Sequence, residues 1–296
     1  MPEARTVDIG LFLMTQKGLR VLEALVGRFG RDPIAYVVGD RDANVVHDYF
    51  DEIVRLCQEH RIPFYSRSQG PPSVSYAFAI SWRHLIHDVP NLIVLHDSLL
   101  PRYRGFAPLP TALINGETTL GVTALFAAEE YDRGDILGQR DLEISYPIKV
   151  QTAIERVCGL YSDLVLGLFG RILAGQALVG YPQDENAASY SLWRDEADYR
   201  IGWAQDAAFI KRFIDSVGPP YRCASALLNG REVRILDAEV ERDVHIEIRQ
   251  PGKVIFVRSG SPVVVCGTGL LRITDLRDGT TGEKLLPLRR MRSRFV

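Results

Sequence analysis

The stretch LIVLHDSLLPRYRGFAPL, residues 92–109, carries the pattern that decides the fold. Its apolar run, Leu92–Leu95, is typical of a buried strand, and the run ends at His96 in a polar loop. Apolar runs of this kind alternate with helix-period segments through the first part of the chain, and Gly, Pro or Asp residues separate them. This alternation predicts an α/β fold built on an open, mostly parallel, Rossmann-like sheet.

The elements predicted around this stretch extend in both directions along the chain. The predicted strands are Val7–Leu13, Ile34–Val38, Pro63–Tyr65, Tyr76–Ile80, Leu92–His96 and Val122–Ala127, and the predicted helices are Gly18–Phe29, Val45–His60 and Val150–Leu178. The polar segment Tyr181–Asn186 then reads as a linker. We therefore place a domain boundary there, with a first domain of residues 1–186 and a second of residues 187–296.

The second domain has a different pattern, in which one helix, Ala207–Val217, precedes short alternating strands with Gly-rich turns. Such a pattern predicts a small, OB-like β-barrel. The predicted strands are Ser225–Leu228, Glu232–Val240, Gly252–Val257, Pro262–Val265 and Leu270–Leu276.

Composition excludes several classes of protein. The chain has 296 residues, of which 46% are hydrophobic and 24% charged, so disordered and coiled-coil classes are excluded. Its longest apolar runs fall far short of the roughly 20 residues that a membrane helix needs. The first ten residues carry acidic groups where a signal peptide has a basic start. We therefore expect a cytoplasmic protein without a membrane partner.

The cysteines and the sequence after the first strand argue against two kinds of cofactor. The four cysteines stand singly, without the short spacing of a zinc or redox motif, and we expect reduced, buried thiols and no metal. Residues Met14–Gly18 lack the glycine pattern of a dinucleotide-binding turn, which argues against a nicotinamide cofactor. Lys17 lies there at the start of a helix, and we expect it to be solvated.

Charge is distributed unequally between the two predicted domains. Residues 1–187 carry a net charge of −6 and residues 188–296 a net charge of +4, so neither has the charge of a strong polyanion binder. Four arginines cluster within Arg289–Arg294. They could contact phosphate, but we expect a solvated tail.

Two polar turns at the ends of predicted strands could form a reaction centre. His96 ends one strand, and the turn Glu129–Asp135 follows the next. In open α/β sheets, ligands bind at the carboxyl ends of strands, where a carboxylate such as Asp132 could orient the imidazole of His96. The residues alone also fit a structural histidine and an ordinary tight turn.

The motifs HDSLLPRYRGFAPL (96–109), NGETTLGVTALF (115–126) and YDRGDIL (131–137) resemble the 10-formyltetrahydrofolate-dependent formyltransferase family, in its order and close to its spacing. In the second domain SYSLWRDEADYRIGW (189–203) and VGPPYRCA (217–224) are similar to methionyl-tRNA and sugar-nucleotide N-formyltransferases. The resemblance implies that His96 and Asp132 are catalytic, that 10-formyltetrahydrofolate is the formyl donor, and that no metal is required.

The resemblance also implies which residues bind the donor and the substrate. The segment Ser81, Trp82, Arg83, His84 and Leu85, with Tyr131 and Asp132, is expected to enclose the pterin ring, and Arg102, Tyr103 and Arg104 are expected to contact the substrate. From the residues alone, Trp82 fits a core aromatic equally well. His84 and His87 fit ordinary surface or capping positions on a short helix.

The chain departs from the family at one catalytic position. Val94 stands two residues before His96, where the family usually has Asn. That Asn donates a hydrogen bond to the oxyanion, and loss of one such donor typically costs roughly 10²–10³ in rate. No replacement can be assigned from the sequence.

The amine that accepts the formyl group is expected to be small. The tRNA-modifying members carry a basic loop after the second strand, where this chain has the acidic turn Asp40–Asp42, and Met14–Gly18 is unlike their Gly-Thr-Pro turn. An acidic turn argues against a substrate that is held through many backbone phosphates, so we favour a nucleotide-linked amino sugar as the partner over nucleic acid.

Four alternatives remain open at this point. Methionyl-tRNA is the second candidate, because SLLPRYRG (98–105) is close to the tRNA enzymes. A hydroxamate-precursor amine is a third substrate class. With Val94 in place of Asn, the protein could also be a folate or sugar-nucleotide binding module without turnover, and the barrel could serve only to bind oligosaccharide or RNA. A homodimer is a further expectation.

Overall fold

The computed structural model describes residues 8–288 and 290–296 of the chain, which form two compact units. The first unit holds residues up to Leu109 together with Thr119–Ile144 and Ile154–Leu192. The second holds Pro110–Thr118, Ser145–Ala153 and Trp193–Val296. This division differs from a single boundary after residue 186. The predictions made for Val7 and Arg289 fall outside the described residues.

The first unit is built on a seven-stranded sheet. Its strands are β1 (Ile9–Leu13), β2 (Ile34–Gly39), β3 (Phe64–Ser66), β4 (Tyr76–Ile80), β5 (Asn91–His96), β7 (Thr119–Phe126) and β8 (Ile136–Glu143), and a short β6 (Arg104–Gly105) pairs with β9 (Tyr190–Ser191). The strands lie in the order β3-β2-β1-β4-β5-β7-β8. Strands β1 to β5 pair in parallel, β7 runs antiparallel to β5, and β8 antiparallel to β7. The predicted α/β fold with a mostly parallel sheet is thereby confirmed.

The observed helices differ from the predicted ones mainly in where they begin and end. The long helices are α1 (Thr15–Phe29), α2 (Phe50–His60) and α4 (Val150–Leu173), and the short α3 is Pro108–Asn115. The prediction that a helix starts at Val45 was wrong, because Tyr49 adopts a left-handed conformation (φ 59°) at the helix start. Neither α3 nor β8 was predicted, since Pro108 and Pro110 mask the helix and charged residues interrupt the apolar pattern of β8.

The second unit contains a five-stranded antiparallel sheet and one longer helix. Its elements are α5 (Ala207–Val217), β10 (Ala224–Leu228), β11 (Arg231–Glu241), β12 (Val254–Arg258), β13 (Ser261–Val265) and β14 (Leu270–Asp278). The strands lie in the order β10-β11-β14-β13-β12, which confirms the smaller β-domain. The fully buried Ile214 of α5 lies in one core with Ile235 and Ile273 of the sheet.

The C-terminal residues join the two edge strands of this sheet. Leu227 of β10 exchanges backbone hydrogen bonds with Val296, and the amide of Val254 in β12 donates to the carbonyl of Ser293. Phe295 is buried in the core. The side chains of Arg290, Arg292 and Arg294 are exposed, as expected of solvated arginines, but the backbone of this segment supplies partners to both edge strands.

Candidate active site

His96 is the last residue of β5, and its imidazole lies between two acceptors. Its Nδ1 is 3.4 Å from Oδ1 of Asp132, and its Nε2 is 2.8 Å from the carbonyl oxygen of Tyr103. The side chain is only 8% exposed. An acceptor oxygen therefore faces each ring nitrogen, which fixes the orientation of the imidazole.

Asp132 lies in the turn between β7 and β8, the second of the two predicted polar turns. Its backbone is left-handed (φ 59°), and its Oδ2 accepts a 2.7 Å hydrogen bond from the amide of Gly105. A Cβ at Gly134 would come within 1.7 Å of the carbonyl oxygen of Phe126, so the turn has room only for glycine there. One carboxylate oxygen is thus anchored while the other faces His96.

A hydrogen-bond network fixes the loop that follows His96. The hydroxyl of Ser98 donates to the carbonyl of Arg102 at 2.6 Å, and the hydroxyl of Thr123 donates to the carbonyl of Ser98 at 2.6 Å. The amide of Gln139 donates to the carbonyl of Leu100 at 2.9 Å. Side chains of β7 and β8 therefore hold this loop in place through hydrogen bonds to its carbonyl groups.

Lys17 is buried and does not match the expected solvated lysine. Its ammonium pairs with the carboxylate of Asp97, which also accepts a 2.8 Å hydrogen bond from the hydroxyl of Tyr161 in α4. Burial alone would raise the pKa of Asp97, but the charge and hydrogen bonds of Lys17 and Tyr161 outweigh it and hold that pKa below its usual value. The expectation failed because the partners lie far apart in sequence.

The segment predicted to bind the pterin follows β4. Ser81 is left-handed (φ 53°), and the Trp82 ring packs edge-on against Phe12 with centroids 5.3 Å apart. Among the described residues, the buried Nε1 of Trp82 has no hydrogen-bond partner. Trp82, Ile86 and Val94 pack against the same apolar cluster, so the indole N–H lies in apolar surroundings without an acceptor from the described part of the chain.

The other members of this predicted site are more exposed. Arg83 pairs with Asp42 at 2.7 Å and His84 with Asp40 at 3.1 Å, while Leu85 is 71% exposed. Residues 81–90, all of which are described, contain no helix, so the short helix expected around His84 and His87 was wrong. Tyr131 is 67% exposed.

The acids of the turn after β2 have intramolecular partners. Asp40 pairs with Arg67 at 2.9 Å as well as with His84, and the carboxylate of Asp42 is buried beside Arg83. The turn is thus a set of ion pairs rather than a free negative patch. This weakens the electrostatic argument against a polyanionic substrate.

The three residues predicted to contact substrate differ in their surroundings. Arg102 is exposed and stacks over the ring of Tyr103 at 5.1 Å, and Tyr103 is left-handed (φ 59°). Arg104 is fully buried, and its guanidinium donates to Gln183 and Glu185 at 2.7–3.1 Å. Its geometry favours holding the segment after α4 over contacting a substrate.

Sequence reasoning missed the role of this segment, because Gln183 and Glu185 lie in what reads as a polar linker. Nothing in their local pattern distinguishes them from solvated residues.

In the part of the chain that the structure describes, no group of three His, Cys, Asp or Glu side chains could hold a metal ion. Within the same residues no helix is long and apolar enough to cross a membrane.

Comparisons with known proteins cover both units. A family model described as formyl transferase matches residues 75–160, and a model described as formyl transferase, C-terminal domain, matches residues 194–285. A methionyl-tRNA formyltransferase of Syntrophomonas wolfei is 30% identical over 214 residues, which cover 72% of this chain and 67% of that protein.

Solved structures are similar in fold at low sequence identity. The sugar 3N-formyl transferase WlaRD has a TM-score of 0.67 at 13% identity over 95% of this chain and 98% of that one. A HypX variant from Aquifex aeolicus has a TM-score of 0.61 at 20% identity over 95% of this chain. The matched region is 47% of the HypX chain, so this chain spans about half of that protein.

Proposed function

Because the chain belongs to the formyltransferase family, we propose that it moves a formyl group from 10-formyltetrahydrofolate to the amine of a small substrate, a nucleotide-linked amino sugar. The chain is a formyltransferase enzyme, and the donor is the one that the family uses. The observation that carries the proposed centre is the 3.4 Å approach of His96 to Asp132 at the carboxyl end of β5.

The roles of the two residues follow from their surroundings. When bound, 10-formyltetrahydrofolate supplies an electrophilic formyl carbon. His96 lies between two acceptor oxygens, and a proton on its imidazole would stabilise negative charge that develops on a neighbouring carbonyl oxygen. Asp132 keeps the ring in place, and it can orient a water that takes up the amine proton.

The segment after β4 is proposed to hold the donor. The indole N–H of Trp82 and the apolar side chains around it would hold the flat ring of the folate, with Ser81, Arg83, His84, Leu85 and Tyr131 around that place. The buried, unpartnered donor of Trp82 supports this assignment, because burying an N–H without an acceptor is costly.

Three observations bear on the identity of the amine. The structural likeness to the sugar 3N-formyl transferase extends over almost the whole of both chains, which supports a sugar nucleotide. The 30% identity to a methionyl-tRNA formyltransferase supports methionyl-tRNA as the second candidate. Although Asp40 and Asp42 are paired within the chain, the described residues of their turn offer no free basic side chain where a tRNA-binding enzyme of the family carries basic residues, and we therefore place the sugar nucleotide first.

A substrate panel with a salt series tests the proposal. Tetrahydrofolate release would be measured with UDP-, GDP- and dTDP-linked 3- and 4-amino sugars and with initiator methionyl-tRNA, and His96→Ala would serve as the matched control. We expect turnover with an amino sugar nucleotide, a loss of at least about 10²-fold in kcat in His96→Ala, and little change in folate affinity.

The salt series separates the two amine classes. A substrate held through 6–10 phosphates loses roughly 10³–10⁵ in affinity between 50 and 200 mM salt, whereas one with two phosphates changes far less. Comparable formylation of tRNA with a steep salt response would overturn the sugar assignment. No tetrahydrofolate release with any member of the panel, together with tight folate binding, would favour another amine or a binding module.

A further inference from the structure

The side-chain amide of Gln183 connects the turn that carries Asp132 to Arg104, which lies in the segment after His96. Its Nε2 donates to the carbonyl oxygen of Asp132 at 2.7 Å and to that of Gly134 at 2.9 Å. Its Oε1 accepts from the guanidinium of Arg104 at 2.8 and 3.1 Å. Both donors and both lone pairs of the amide are therefore used.

Arg104 sets the orientation of that amide. The guanidinium is fully buried, and it also forms a two-pronged pair with the carboxylate of Glu185 at 2.7 and 2.8 Å. A flipped Gln183 amide would place its oxygen against two carbonyl oxygens and its NH₂ against a cation. The network thus permits one orientation only.

The turn that Gln183 holds has a conformation that needs support. Asp132 is left-handed, a conformation that costs a non-glycine residue free energy unless its surroundings fix it. The side chain of Asp132 is anchored separately by the amide of Gly105, which follows Arg104 directly. Arg104, Gly105 and Gln183 therefore fix both the backbone and the carboxylate of Asp132.

We propose that Gln183 is a positioning residue that holds the Asp132 carboxylate against His96, and that Arg104 orients Gln183. This inference rests on the proposed function, in which Asp132 and His96 are the reacting pair. Misplacing a catalytic group by about 1 Å can cost on the order of 10²-fold in rate. The segment after α4 is thus a part of the reaction centre.

The test uses Gln183→Glu in the full chain. Glu has nearly the same shape and keeps an acceptor for Arg104, but its second oxygen faces the carbonyls of Asp132 and Gly134 and cannot donate to them. Gln176→Glu, at an exposed position of the same unit, is the control for the added charge. We expect kcat to fall by about 10–10²-fold in Gln183→Glu, with KM for both substrates within about threefold, and no change in Gln176→Glu.

A second measurement does not depend on turnover. The ring ¹⁵N signals of His96 report the contact with Asp132, and in Gln183→Glu they should move toward those of Asp132→Asn at the same pH. Wild-type His96 signals in Gln183→Glu, or an unchanged kcat, would overturn the inference. If the wild-type protein formylates no amine, the proposed function fails, while the ¹⁵N comparison still decides whether Gln183 holds Asp132.

Discussion

At the scale of single residues, the strand that ends at His96 also presents the position at which the chain departs from its family. Val94 and His96 point to the same side of β5, because side chains alternate along a strand. Val94 is partly buried and packs against two groups of apolar side chains, one around Phe12 and Tyr36 and one formed by Leu100, Leu125 and Ile136. A hydrogen-bond donor at position 94 would therefore lie on the same face of β5 as His96.

Val94→Asn is expected to raise kcat while leaving folate affinity within about threefold, since an oxyanion donor acts mainly in the transition state. The free energy of unfolding should fall by roughly 1–3 kcal/mol, because an amide is placed among apolar side chains. Val94→Ala removes the same packing without adding a donor and is the control. An unchanged kcat in a stable Val94→Asn protein would show that another group supplies the hydrogen bond.

At the scale of elements, a buried ion pair joins the start of α1 to the end of β5. Lys17 and Asp97 lie 80 positions apart in the sequence, and Tyr161 of α4 supplies the third partner. Both charged side chains are mostly buried, at 8% and 17% exposure. Removing one member of such a pair leaves a buried charge uncompensated, which is strongly destabilising.

Asp97→Asn is therefore expected to lower the free energy of unfolding by roughly 3–5 kcal/mol at pH 7, measured by urea denaturation. Because the pKa of Asp97 is lowered on folding, the wild-type pair stabilises the protein above the unfolded pKa of about 3.9 and loses this contribution as the pH falls through the folded pKa. The difference between wild type and variant should shrink below about pH 4.

Lys17→Met in the Asp97→Asn background is the control for this prediction. It removes the buried ammonium as well and should recover part of the lost stability. A difference between wild type and Asp97→Asn that stays constant from pH 7 to pH 3 would contradict the prediction.

The elements also show what the sequence could predict. Apolar periodicity located β4 and α5 to the residue and β5 to within one, because β4 is an apolar strand buried on both faces and α5 buries one apolar face. It could not find Lys17–Asp97 or the contacts of Gln183, since long-range pairs leave no local periodic signal. The sequence pointed to His96 and Asp132 because each follows a predicted strand, but the expected common edge was wrong, since β7 runs antiparallel to β5 and the two strands end at opposite edges of the sheet. The turn after β7 brings Asp132 back to His96. The support of Asp132 by Gln183 comes from a segment that reads as a loop.

At the scale of the whole molecule, each unit has its own apolar core, and the core of the second is completed by the last residues of the chain. Phe295 is 1% exposed, and its ring lies 5.4 Å from that of Trp203. Its carbonyl oxygen lies so close to Gly252 that a Cβ there would approach within 2.1 Å. The C-terminal segment is therefore part of both the core and the edges of the second sheet.

Phe295→Ala is expected to destabilise the second unit by roughly 3–5 kcal/mol, the usual effect of truncating a buried Phe. Because the backbone of residues 293–296 bonds to both edge strands, the amides of β10 and β12 should lose protection first in hydrogen exchange followed by mass spectrometry. Val296→Ala, at a side chain that is 57% exposed, is the matched control, and amides of β1 and β4 in the first unit serve as the internal reference. Protection retained in β10 and β12 of Phe295→Ala would show that the sheet keeps its edges paired without this side chain, and the terminal segment would then be an addition to the fold rather than a part of it.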